Sequence, residues 1–130
     1  MTRDRALKAT MVVVGLLFCA AIYPIAGDLW SRSSADYGDD MMLSLYFTLG
    51  VFLLLAVRNP AAHRSLIAFT AWSSFAHAGV MSALGFEHPT ERSDFWIGSA
   101  VLAVIGLVLL FLAPAKAREE HQAAAQPQAG

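Results

Sequence analysis

The sequence predicts an all-α protein, a transmembrane four-helix bundle, and three observations carry that prediction. Of its 130 residues, 57% are hydrophobic and only 15% are charged, with a mean hydropathy of +0.54. A soluble domain carries about 25% charged and about 45–50% apolar residues. The charges are gathered into short patches between four apolar runs. The basic patches fall on alternate connections, the pattern of a chain that crosses a bilayer repeatedly. Lipid is the solvent that suits such a chain. Residues 1–114 form one membrane domain, with no room for a separate soluble one. The net charge of −1 argues against nucleic acid, which demands a basic face.

The first span covers about residues 9–29. Arg3, Arg5 and Lys8 followed by an apolar run resemble a secretory signal. The run continues to Leu29, too long for a signal core, so it is read as a retained helix. About 20 helical residues at ~1.5 Å each cover the ~30 Å hydrocarbon core. Pro24 takes one hydrogen bond from the carbonyl of Ala20 and predicts a kink in the outer third, tolerable where another helix covers it. Residues 31–40 are polar, include Gly38, and read as a loop. The second span, about 41–57, begins after Asp39 and Asp40, whose carboxylates suit the positive end of a helix dipole. Arg58 and Asn59 then turn sharply into Pro60, with Asn59 placed as N-cap and Pro60 as the first helical residue. So short a connection predicts that spans two and three pack as a hairpin. The third span covers about 65–84. Residues 85–94, punctuated by Pro89, lead to the fourth and oiliest span, about 95–112, which Pro114 ends. The tail, 115–130, is rich in Ala and Gln and is expected to be a disordered cytoplasmic segment.

Lys and Arg set the orientation. Arg3, Arg5, Lys8, Arg58, Arg64, Lys116 and Arg118 lie on one side of a four-span chain, and of the chain's nine Lys and Arg only Arg32 and Arg92 lie on the other. Both termini are therefore expected in the cytoplasm. The opposite face is acidic, with Asp28, Asp36, Asp39, Asp40, Glu87, Glu91 and Asp94. Either these carboxylates collect cations, or translocated loops simply avoid Lys and Arg. Trp30 and Trp96, at the outer ends of spans one and four, suit the interface as anchors.

The third span is the least oily, and it alone carries a histidine in its interior, His77. An ionisable group at that depth is costly and points to function by default. Thr70, Trp72, Ser73 and Ser74 lie within two turns and complete the candidate polar cluster. Ser73 and Ser74, four and three residues before His77, are placed to approach its ring. The Trp72 indole N–H needs an acceptor. His77 admits two readings: a neutral imidazole tying helices together, where such contacts average about 0.6 kcal/mol, or a ligand or proton site. Sharper versions meet obstacles. A b-type haem needs a second axial histidine, and His63 and His88 belong near opposite faces. Copper(I) favours soft ligands, but Cys19, Met41, Met42 and Met81 are scattered where methionine usually fills gaps. A proton-coupled exporter wants an acidic residue inside a span, and none of the four interiors has one.

Ala71, Ser74, Ala78 and Ser82 form a small-residue stripe that permits close helix approach, as do Gly15 with Cys19 and Ser99 with Ala103 and Gly106. Cys19, the only cysteine, reads as a buried structural thiol. No phosphate loop, zinc-ligand spacing or nucleophile elbow is present. No catalytic residue, cofactor or metal is therefore assigned.

Arg58-Asn59-Pro60, Arg64-Ser65-Leu66-Ile67, Trp72-Ser73-Ser74 and His77-Ala78-Gly79-Val80-Met81 together resemble a bacterial family of small four-span membrane proteins known only as a domain of unknown function. The likeness covers about residues 41–88 and implies a four-helix inner-membrane protein. It supplies no catalytic residues. The leading expectation is a non-enzymatic protein of the lipid bilayer, packing as a homo-oligomer or beside a membrane partner subunit. The alternatives are a small transporter or channel using His77, and a redox subunit binding haem, quinone or copper.

Overall fold

The computed structural model describes residues 2–31 and 37–114, and the described residues are helical with no strand. The first rod is divided into α1 (Thr2–Cys19) and α2 (Ile22–Ser31), and Pro24 is the cause. With no N–H from Pro24 to accept, the Ala20 carbonyl takes Tyr23 N at 3.0 Å, and Ala21 N reaches only to Phe18 O at 3.1 Å. These tightened three-residue bonds interrupt the α-helical ladder at residues 20 and 21.

The next helix, α3 (Tyr37–Ala56), starts earlier than the sequence suggested and holds Asp39 and Asp40 within its first turn. Pro60 opens a short 3-10 turn, Pro60–His63, and the α-helix proper begins only at Arg64. The expected Asn59 side-chain cap is not made; its backbone carbonyl instead accepts from Ala62 N at 3.2 Å. Helix α4 (Arg64–Glu87) then runs antiparallel to α5 (Arg92–Leu112). Pro114 follows α5, as expected. The disordered tail expected over 115–130 lies outside the described residues.

The rods stand in the cyclic order α3, α1, α5, α4. Glycine sets the closest approaches. A Cβ on Gly50 would stand 2.7 Å from the Gly15 carbonyl and 2.9 Å from Cys19 N, so α1 and α3 meet backbone to backbone. On the other side a Cβ on Gly106 would stand 3.0 Å from the Ala71 carbonyl and 2.9 Å from the Phe75 ring. Ser99 bridges α5 to α4, donating to the Ala78 carbonyl at 2.9 Å and sharing a 2.7 Å hydroxyl contact with Ser82. Arg3 closes the third seam, its guanidinium donating to the Phe111 carbonyl at 2.7 Å and the Ala113 carbonyl at 3.3 Å. A cation suits those orphan carbonyls at a helix C-terminus.

The tight core gathers toward that same end. Met11, Leu53, Ile67 and Leu109 are fully buried there, supported by Leu7, Ala56 and Ala71. Among the described residues, three helices are long and apolar enough to cross a membrane: the 30-residue rod Thr2–Ser31, Tyr37–Ala56 and Arg92–Leu112. The fourth expected span, α4, is not among these. Its 24 residues make a rod of about 36 Å, but its serines, threonine and histidine dilute its hydropathy.

Candidate functional site

The seam between α3 and α4 differs from the others. Helix α3 sets Met42, Leu45, Tyr46, Leu49 and Phe52 on one face at three- and four-residue intervals. Helix α4 answers with Leu66, Phe69, Ser73, Ala76, His77 and Val80. Between these faces lies a cleft of about 510 Å³. Its rim residues Leu45, Phe52, Phe69 and Val80 are each more than half exposed, so it opens sideways from the bundle. The packed hairpin expected of spans two and three is therefore corrected: α3 and α4 converge through their turn and make few direct contacts. The reason is steric. Small residues permit close approach, and α3 turns Gly50 toward α1 while α4 turns Ala71 toward α5.

His77 stands at a junction. It lines the cleft and two further hollows of about 370 and 350 Å³, the first reached by all four rods and the second running past Met81 to Asp39 and Phe95. Its ring meets Tyr46 edge-on, with centroids 5.4 Å apart, and Tyr46 in turn meets Phe18 edge-on at 4.9 Å. Tyr46 and His77 thus form the wall between the sideways cleft and the inner hollow.

The five residues of the expected polar cluster separate. Ser73 and His77 share the cleft. Thr70 and Ser74 are fully buried and turned to their own helix, Thr70 donating to the Leu66 carbonyl at 2.8 Å and Ser74 to the Thr70 carbonyl at 2.7 Å. Ser73 also donates to the Thr70 carbonyl, at 3.1 Å. The anticipated serine–histidine bond does not form, because a helical serine finds the carbonyl three or four residues back first. Trp72 faces away, 64% exposed and edge-on to Phe75.

Tyr46 is the member that sequence reasoning missed. A signal existed: tyrosine favours the membrane interface, and Tyr46 instead sits well inside an apolar run. Of the soft candidates, Met42 and Met81 share the hollows with His77, while Met41 is exposed and Cys19 abuts Gly50 on the α1–α3 seam. His63 and His88 stand at opposite ends of α4. Among the described residues no three His, Cys, Asp or Glu side chains are grouped to hold a metal ion.

Against known proteins, one family model covers residues 2–126, nearly the whole chain. The chain belongs to the family of unknown function DUF6632. No curated protein and no solved structure matches it. The DUF6632 match reaches well beyond residues 41–88, taking in α1 and α5, so the cleft and all four rods around it lie inside the family's domain. Membership brings no reaction with it, and the cleft has to be interpreted from its own chemistry.

Proposed function

We propose that this is a multi-pass protein of the bacterial inner membrane, with both termini cytoplasmic. On this reading it acts as an accessory subunit without chemistry of its own, in a homo-oligomer or beside a membrane partner, and offers the α3–α4 cleft to the lipid phase. The observation that carries it is the cleft itself: an apolar cavity of about 510 Å³ on the side of a bundle with three membrane-length apolar rods. Ligand sites commonly occupy about 300–1,000 Å³ and are mostly apolar with a few placed polar groups. Helix α4 is taken as the fourth crossing because it runs antiparallel to α5 from Gly85 beside Trp96 to Ala71 beside Gly106. With four crossings, the basic patches at the amino terminus, at 58–64 and in the tail share one leaflet, which supports cytoplasmic ends.

The test is gentle extraction from membranes, followed by mass spectrometry and an absorption spectrum. One companion chain, or a defined multiple of this chain, is the expected result. A monodisperse single chain with no companion would count against the accessory role. Reporters fused at either terminus should be active only in the cytoplasm.

A second reading, a small transporter using His77, is favoured by one observation: His77 borders three hollows that lead from Asp39 toward the side cleft. Proton or cation flux into liposomes that is lost in His77→Ala would support it. Equal, background-level flux in both proteins would remove it.

A further inference from the structure

The geometry points to the α3–α4 cleft as a binding site for a chain lipid whose head carries a carbonyl, held by the hydroxyl of Tyr46 and the ring N–H of His77. This rests on the reading of the cleft as open to the lipid phase, and adds the class of molecule that enters it.

The first support is what these two side chains lack. Tyr46 meets His77 and Phe18 only through ring edges, and neither Tyr46 nor His77 makes a hydrogen bond to another described residue. A phenol and an imidazole carry donors that usually find acceptors when held away from water. Within a bilayer there is no water to supply one, so leaving them unmet is costly. Both line the same cavity, so one acceptor group in it can meet both.

The second support is the shape of what remains. From Val80 to Leu66 the cleft follows α4 for fourteen residues, a run of about 21 Å at the helical rise. Beyond His77 its walls are mainly Leu49, Phe52, Leu66 and Phe69, and the two hydroxyls on that stretch, Ser73 and Thr48, already donate to carbonyls of their own helices. That suits a flexible hydrocarbon chain with its head at His77. A second protein helix suits it poorly. Helices in membranes approach closely through small residues. Gly15, Gly50 and Gly106 give that closeness to this chain's own rods, and in the cleft Thr48, Ser73 and Ala76 are set among leucine and aromatic side chains that hold a second helix off. A carbonyl is the head these donors select, because it accepts from both and needs no charge in the bilayer interior. Isoprenoid quinones and acyl esters both present one.

The experiment uses the full chain in nanodiscs and three decyl-chain probes: decyl-benzoquinone, a decanoyl ester, and decylbenzene, which lacks a carbonyl. Binding is expected for the quinone or the ester, and whichever binds more tightly identifies the source of the head. Tyr46→Phe and His77→Phe keep the ring edges and should each weaken that probe about 3- to 10-fold, the size of one net hydrogen bond. Both should leave decylbenzene unchanged. Ala76→Phe fills the cleft and should abolish binding of all three. Helical circular dichroism and monodisperse elution confirm that each variant is folded. Equal affinity for decylbenzene and the carbonyl probes, unmoved by Tyr46→Phe and His77→Phe but lost in Ala76→Phe, overturns the carbonyl assignment and leaves the open cleft standing. Binding that survives Ala76→Phe overturns both. So does the absence of binding by any probe alongside a partner helix cross-linked through position 76.

Discussion

Helices α4 and α5 meet through glycine, alanine and serine, while α3 and α4, joined by a few residues, are held apart by leucine and phenylalanine. The contrast shows that chain proximity does not decide packing in this molecule. In water, burying both apolar faces would pull a short hairpin shut. Lipid is as apolar as leucine, so that drive is missing and van der Waals fit and hydrogen bonds decide. Gly106 lets the Phe75 ring and the Ala71 carbonyl come close, and Ser99 finds two partners on α4. Across the cleft only the Tyr46–His77 ring edge bridges the gap in comparable fashion.

The sharpest way to break this contrast is to add bulk at the closed seams. Gly50→Ala should have the largest effect. Its Cβ would meet the Gly15 carbonyl and Cys19 N, both backbone atoms, at 2.7 and 2.9 Å. Neither can swing away, so the helices must separate, at about 1–3 kcal/mol or more. Unfolding in mixed micelles should move to clearly lower denaturant, and a wild-type curve would show that α1 and α3 do not touch there. Gly106→Ala should cost less, because the Phe75 ring that it meets can turn, although the Ala71 carbonyl at 3.0 Å cannot.

Next in size is Ser99→Ala, which removes the donor to the Ala78 carbonyl and the partner of Ser82. Interhelical bonds of this kind are worth about 0.6 kcal/mol on average and about 1.7 at most. The same micelle titration should register a loss in that range, and the Ser82→Ala, Ser99→Ala double variant should lose less than the sum of the two single ones. Strict additivity would mean that the two hydroxyls do not interact.

Such close seams were legible in the sequence where they depend on residue size. The Ala71, Ser74, Ala78, Ser82 stripe and its partner at Ser99 and Gly106 both lie at spacings that only a helix brings to one side. The punctuation was legible too, since Pro24 and Pro114 act through covalent geometry that no tertiary contact overrides. Gly50 was not picked out, because a glycine's role depends on what faces it: the Gly15 and Cys19 pair marked the close-approach face of α1, but not which helix, or which residue of it, would meet that face. The cleft was hidden for a related reason. Helices that are apolar all round show no period that separates an inner face from an outer one, so the face bearing Met42, Tyr46 and Leu49 looked like any other. His77 could be found because an ionisable group in a span is conspicuous wherever it points. Tyr46 is half apolar and passed for another aromatic. Trp72 misled for the opposite reason: its position in the chain sits close to His77, but its side chain projects to the outside of α4.

A smaller effect sharpens the other half of the comparison. Ala76→Phe adds a ring where the cleft already has space, so its stability should lie within about 0.5 kcal/mol of wild type. A loss like that of Gly106→Ala would mean that α3 and α4 close on each other in the folded protein.

The smallest expected effect is the most informative about partners. Gly79 lies on α4 between Ala78, which is buried toward α5, and Val80 at the rim of the cleft, and a Cβ there would meet nothing within 4 Å. Within this one chain Gly79→Ala should be neutral, or stabilising by up to about 1 kcal/mol through helix propensity. The measurement is therefore made twice, on the isolated chain in micelles and on the protein in its native membrane, where folded abundance is followed. If both agree, the outer side of α4 faces lipid. If the isolated chain is unaffected but abundance falls in the membrane, a neighbouring helix packs against Gly79, because added bulk can only harm a surface that something covers. That outcome would place the partner of the accessory reading on the outside of α4, beside the exposed Trp72, and leave the cleft free for its lipid.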